Sequence, residues 1–93
     1  MSMLSLSELA AMVDGRLHGP DQDFDGVSTD TRSLGHGELF VALRGPNFDG
    51  HDYLQAAQQR GAAGALVARP VDTGLPMVEV ADTLLGLGRL GQQ

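Results

Sequence analysis

Gly37-Glu38-Leu39-Phe40-Val41-Ala42-Leu43-Arg44-Gly45 is the stretch on which the architecture turns. Its apolar run is bounded by glycines and lacks the polar alternation of a strand with one wet face. It therefore predicts a strand over residues 38–43 covered on both faces, as in α/β sheets. Working outward, the small apolar run at 63–68 predicts another buried strand. Shorter strands are expected at 16–18, 24–28 and 77–80. Ser5-Leu6-Ser7-Glu8 has the S-x-x-E form of a capping box, and Leu6, Leu9, Ala10 and Val13 follow at helical spacing, with Gly15 as the expected end. A second helix is expected over 51–60, capped by Asp49, facing Leu54 and Ala57 inward and stopped by Gly61. A third is expected to start at Asp82 or Thr83 and run through Leu84, Leu87 and Leu90. Its glycines, Gly86, Gly88 and Gly91, weaken it by up to about 1 kcal/mol each. The fold class is α/β: a small mixed β-sheet of about four to six strands packed with about three helices.

Composition narrows function. The 93 residues suit one small domain with a modest core. No cysteine is present, which removes disulfides, thiolate zinc sites and cysteine nucleophiles. Lysine is absent too, since all six basic residues are arginines, at 16, 32, 44, 60, 69 and 89. A phosphate loop of the form G-x-x-x-x-G-K-[ST] is thereby excluded from this chain. A net charge of -6 without a basic stripe argues against a nucleic-acid partner. No apolar run approaches membrane-spanning length, and Met1-Ser2-Met3-Leu4 lacks the features of a signal peptide. The expectation is a cytoplasmic protein with no membrane partner.

Five motifs occur in order: Ser28-Thr29-Asp30-Thr31-Arg32; Leu39-Phe40-Val41-Ala42-Leu43-Arg44-Gly45; Phe48-Asp49-Gly50-His51-Asp52-Tyr53; Gly61-Ala62-Ala63-Gly64-Ala65-Leu66-Val67; and Val80-Ala81-Asp82-Thr83. Over essentially its whole length the chain resembles the N-terminal domain of the Mur ligases of bacterial cell-wall synthesis. The resemblance implies that residues 1–93 form one UDP-substrate-binding domain of a longer, ATP-dependent amide-bond-forming ligase. Its ATP-binding central domain and its C-terminal domain would lie outside this chain. The intact enzyme would use MgATP to phosphorylate the terminal carboxylate of UDP-N-acetylmuramoyl-tripeptide, and the amine of D-alanyl-D-alanine would attack the acyl phosphate. The sibling ligase that adds the third amino acid shares most of these motifs and is the alternative within the family. Outside it, the rival is a non-catalytic protein-interaction module on the same scaffold.

By the same resemblance the UDP would be held by Thr29, Thr31, Pro46, Asn47 and Phe48, with Ser28, Arg32 and Gly45 beside them. Residue chemistry is compatible: hydroxyls at a strand-to-turn boundary, an amide side chain able to pair with an imide, and an aromatic wall. Each residue also has a plainer role. Thr29 and Thr31 could simply close a turn, Phe48 could pin its loop to the core, and Arg32 could bridge Asp30 instead of a phosphate. No residue is assigned to catalysis, to a metal or to a cofactor within this domain. Asp49, His51 and Asp52 lack a second histidine at ligand spacing, and Asp21, Asp23 and Asp25, expected in a solvated turn, do not continue into a calcium loop. His18 and His36 are expected to be solvent-exposed.

Overall fold

The structure, a computed structural model, describes residues 4–45, 48–69, 71, 73–83 and 88, with the backbone alone at 45 and 48. In chain order the elements are β1 (Leu4–Ser5), α1 (Leu6–Met12), β2 (Arg16–His18), β3 (Asp23–Phe24), β4 (Val27–Ser28), β5 (Leu39–Val41), β6 (Arg44–Gly45) and β7 (Phe48–Asp49). A 3-10 turn (Gly50–Tyr53), α2 (Leu54–Gln59), β8 (Gly64–Val67) and β9 (Met77–Glu79) follow. The main sheet has five strands in the order β2-β9-β8-β5-β4. Its members β4, β5, β8 and β9 run parallel, and β2 closes one edge antiparallel to β9. Two small antiparallel pairs, β1-β3 and β6-β7, flank it. The mixed α/β sheet is the one anticipated from the buried runs.

Alternation along β5 explains why the run around it is apolar throughout. Leu39 and Val41 join Leu6, Leu9, Val13 and Leu66 in a core on the α1 side of the sheet. Phe40 points the other way, into a second core with Leu54, Ala57, Ala65 and Met77 on the α2 side. Both faces are covered, so neither can carry polar residues. Leu6 and Leu9 are wholly buried, each burial contributing about 1.5 to 3 kcal/mol. A helix as short as α1 persists through this packing and its cap rather than through propensity. The capping box is complete: Glu8 N–H donates to Ser5 Oγ at 3.2 Å, and Ser5 N–H donates to Glu8 Oε1 at 3.0 Å.

Several expectations need correction. The left-handed residue that ends α1 is Asp14, at φ 56°, and not Gly15. Gly15 instead passes close to β9, where a Cβ would lie 2.8 Å from the Glu79 carbonyl oxygen. Asp21 is not merely solvated, because its carboxylate accepts the Ser7 N–H at 2.9 Å and the Ser7 hydroxyl at 2.7 Å, bonds that lower its pKa. The strand expected over 24–28 is two strands, β3 pairing with β1 and β4 with β5, so the chain must bend between them. His18 is half-buried and bonded to Glu79 at 2.7 Å across the β2-β9 pair, whereas His36 is exposed. The second helix opens as a 3-10 turn before becoming α2, and Gly61 ends it at φ 85°. Most of the third expected helix falls outside the described residues. At its start Thr83 donates its hydroxyl to the Ala42 carbonyl at 2.9 Å, tying residue 83 back to the exit of β5.

Candidate functional site

Ligands of parallel α/β sheets settle beyond the carboxyl ends of the strands, where loops leave the framework. Two such exits lie side by side here. At the first, β4 ends in a turn built by two side chains. The Ser28 hydroxyl donates to the Asp30 carbonyl at 2.9 Å and accepts the Asp30 N–H at 3.2 Å. Asp30 Oδ1 accepts the Arg32 N–H at 2.9 Å, and Ser33 N–H donates to the Asp30 carbonyl at 3.2 Å. The turn-closing work therefore falls to Ser28 and Asp30. Among the described residues neither the Thr29 nor the Thr31 hydroxyl takes part in it.

Arg32 folds back onto Asp30, with Nη2 at 2.8 Å from Oδ2 and Nε at 3.1 and 3.2 Å from the two carboxylate oxygens. The guanidinium bonds, followed by the Arg32 backbone N–H, hold the Asp30 carboxyl at about 2. Arg32 nevertheless stays 87% exposed, so its outer edge faces solvent beside the threonines. The bridging role is thus observed for this pair.

At the second exit, β5 stops because the chain turns sharply at Ala42: Leu43 N–H donates to the Val41 carbonyl at 3.1 Å. The β6-β7 hairpin follows, with Arg44 opposite Asp49 and Gly45 opposite Phe48. Pro46, Asn47 and the Phe48 side chain lie outside what the structure describes. The hairpin then returns onto the backbone it left, Gly50 N–H donating to the Leu43 carbonyl at 2.6 Å. A Cβ on Gly50 would come within 2.8 Å of Ala42 Cα and of Leu43 N, a closeness that only glycine permits.

Behind Gly50 the chain is locked. The His51 side chain is 0% exposed, and both of its ring nitrogens are bonded. Ala68 N–H donates to Nε2 at 2.9 Å, which leaves the ring proton on Nδ1, facing Asp49 Oδ1 at 2.6 Å. Asp49 Oδ1 also accepts the His51 backbone N–H at 3.0 Å, and Oδ2 accepts Arg69 Nη1–H at 3.2 Å. The His51 backbone bond, then its ring, then Arg69 hold the Asp49 carboxyl at about 2. The motif acid and histidine are therefore structural partners. Among the described residues no group of three His, Asp or Glu side chains could hold a metal ion.

Between the two exits lies a cleft of about 310 Å³ lined by Thr29, Asp30, Thr31, Arg32, Phe40 and Tyr53. Phe40, 1% exposed, is its floor, and Tyr53, 44% exposed, is its outer wall. Hydroxyls, a guanidinium edge and aromatic surface meet in one concavity, a combination suited to a polar ligand with a flat ring. Thr29, Thr31 and Arg32 line this one cleft, while Ser28 is engaged in its turn. The two aromatic residues were not anticipated as site residues. Their signals were in plain view: Tyr53 closes the F-D-G-H-D-Y motif, and the alternation along β5 sends Phe40 to the face opposite Leu39 and Val41.

Comparison with known proteins converges on one family. Residues 23–84 match the description "Mur ligase family, catalytic domain". The chain is 47% identical over 90 residues, 97% of its length, to the UDP-N-acetylmuramoyl-tripeptide--D-alanyl-D-alanine ligase of Escherichia coli (strain K12), of which it covers 20%. It is 38% identical over 64 residues, 69% of its length, to the UDP-N-acetylmuramoyl-L-alanyl-D-glutamate--2,6-diaminopimelate ligase of Aquifex aeolicus (strain VF5), covering 13% of that protein. Among solved structures it is similar to a MurF of Acinetobacter baumannii, with a TM-score of 0.88 and 32% identity over 97% of this chain and 20% of that one. The chain thus spans between 13% and 20% of the length of these relatives.

Proposed function

This chain belongs to the Mur ligase family, and from that premise we propose that it is the N-terminal domain that holds the UDP end of UDP-N-acetylmuramoyl-tripeptide. The parent enzyme, on this reading, is the ATP-dependent ligase that adds D-alanyl-D-alanine in peptidoglycan precursor synthesis. The observation that carries it is the cleft, lined by two threonines whose hydroxyls are left out of their own turn and by an exposed tyrosine. A uracil laid against Tyr53 would set its polar edge toward Thr29 and Thr31. Arg32, exposed beside them, offers a guanidinium to a phosphate oxygen. Pro46, Asn47, Phe48 and Gly45 enter the proposal on sequence alone.

In this scheme the domain contributes anchoring rather than chemistry. Binding energy from the non-reacting uridine end orients the distant peptide carboxylate for reaction. MgATP and D-alanyl-D-alanine would be held by domains beyond these residues. A phosphate loop of the G-x-x-x-x-G-K-[ST] type has no place here, since it needs a lysine and the sequence contains none. The purified chain should therefore turn over no ATP and form no amide bond. Of the two ligases in question, the D-alanyl-D-alanine member is favoured by the higher identity over more of the chain. A cytoplasmic location goes with the reading, and no helix among the described residues is long and apolar enough to cross a membrane.

Uridine and cytidine diphosphates separate this reading from the interaction module. UDP should perturb the amide resonances of residues 28–32 and 45–50, and CDP should do so less. Equal shifts with both nucleotides, or shifts confined to another surface, would count against it.

A further inference from the structure

Tyr53 belongs to the 3-10 turn that begins at Gly50, so whatever fixes that turn fixes the cleft's outer wall. At its start the turn is capped by Asp49, which accepts the His51 N–H, and Gly50 N–H is bonded to the Leu43 carbonyl. It is one short 3-10 segment, and α2 after it has no side-chain cap, Tyr53 occupying the N-cap position without such a bond. What ties it to the central strand is the buried ring two residues before Tyr53. In the parallel pair β5-β8, Ala42 N–H donates to the Leu66 carbonyl, so by the alternation of a strand the Ala68 N–H faces the same side two residues on. There β5 has already turned away, and its place in the ladder is taken by His51 Nε2 at 2.9 Å. The opposite nitrogen is anchored to Asp49, which Arg69, the residue after Ala68, holds from its other oxygen. The ring is thus a rivet between the turn carrying Tyr53 and the exit of the central strand β8.

We propose that His51 is the positioning residue of the cleft, setting Tyr53 opposite Thr29 and Thr31 by substituting for the missing strand at Ala68. This rests on the UDP reading above for its ligand, but the rivet itself can be measured without one. It also distinguishes two isosteric replacements. Glutamine carries an amide oxygen to the distance of Nε2 and can accept the Ala68 N–H. Asparagine reaches only the position of Nδ1 and leaves that N–H unpaired.

Tyr53 is the single tyrosine and the chain has no tryptophan, so its near-ultraviolet circular dichroism and emission report on this wall directly. In the wild-type chain a coupling between Ala68 15N and His51 15Nε2 across the hydrogen bond is expected, and its absence overturns the proposal without any variant. His51→Asn should exchange the Ala68 amide about tenfold faster and lose the tyrosine dichroism band, while β9 amides stay protected. It should also need several-fold more UDP to quench Tyr53 emission, after correction for nucleotide absorption. His51→Gln should stay within about twofold of wild type on each count. Equal impairment of both variants, or an undisturbed tyrosine band in His51→Asn with Ala68 opened, would reduce His51 to core filling. Absence of UDP quenching in the wild type would instead sink the ligand reading, with the exchange and dichroism results still deciding the rivet.

Discussion

The two turns that form the cleft are built on different plans. The turn after β4 is closed by neighbours in sequence: Ser28 to Asp30, Asp30 to Arg32, Ser33 to Asp30. The turn before α2 has a local cap too, Asp49 on His51, but adds closures from further away, by Gly50 on Leu43 and by His51 on Ala68. Exposure follows the same division, Arg32 standing in solvent and His51 sealed from it. Each turn contains an aspartate held at about 2, yet the two carboxylates answer to different surroundings. A locally closed turn keeps its shape at little cost to the rest of the molecule. The distant closure ties the turn to the central strand β8.

The sharpest way to break this comparison is steric. Gly50→Ala should destabilise the chain by about 1 to 3 kcal/mol, since the new methyl would meet backbone that has no rotamer to change. A denaturant midpoint indistinguishable from wild type would mean that the hairpin does not return onto Ala42 and Leu43 as described. The next contrast sets the carboxylates against each other. Asp49→Asn should lower the thermal midpoint clearly more than Asp30→Asn, because Asp49 serves a buried ring while Asp30 serves an exposed guanidinium whose pairing is worth little. Added salt should weaken the Asp30–Arg32 pair and leave the Asp49–His51 contact nearly unchanged. A reversed order in either measurement would erase the distinction.

Acid titration treats the two turns alike before it separates them. Both carboxyls have folded-state values of about 2 against the ordinary 3.8, so the stability they add is fully present above the ordinary value. It is lost as pH falls through about 2, and nothing should change between neutrality and pH 5 from these groups. Carbon-13 carboxyl shifts would follow both, and a midpoint near 3.8 for either residue would contradict its hydrogen bonds. Smallest of all should be Thr31→Val. It removes a hydroxyl that its own turn does not use, leaving stability within about 0.5 kcal/mol of wild type and weakening UDP several-fold, the worth of one neutral hydrogen bond. In the parent enzyme the corresponding rise would be in the Michaelis constant for the UDP-linked peptide and not in that for ATP.

What could be read from the chain divides along the same line. The capping box at Ser5 and Glu8, the buried run at Leu39 to Leu43 and the Asp30–Arg32 bridge are written in spacings of two to four residues, and each was legible. The rivet at Ala68 was not, for its partners lie 17 residues apart and meet only after β5 and β8 pair. The roles of Asp21 and His18 were hidden for the same reason, since Ser7 and Glu79 reach them through tertiary packing. Phe40 and Tyr53 needed a further step, because strand alternation gives a side but not the edge of the sheet at which a cleft opens. Asp14 in place of Gly15 at the end of α1 reflects a local preference overridden, the glycine being required where β9 passes close.

The most direct measurement is of intermolecular nuclear Overhauser effects between the protons of bound UDP and this chain. The account predicts contacts from uracil H5 and H6 to the Tyr53 ring and from the imino H3, on the polar edge, to the Thr31 methyl group. Saturable binding whose uracil contacts all fall on another surface, with none to Tyr53 or Thr31, would contradict it.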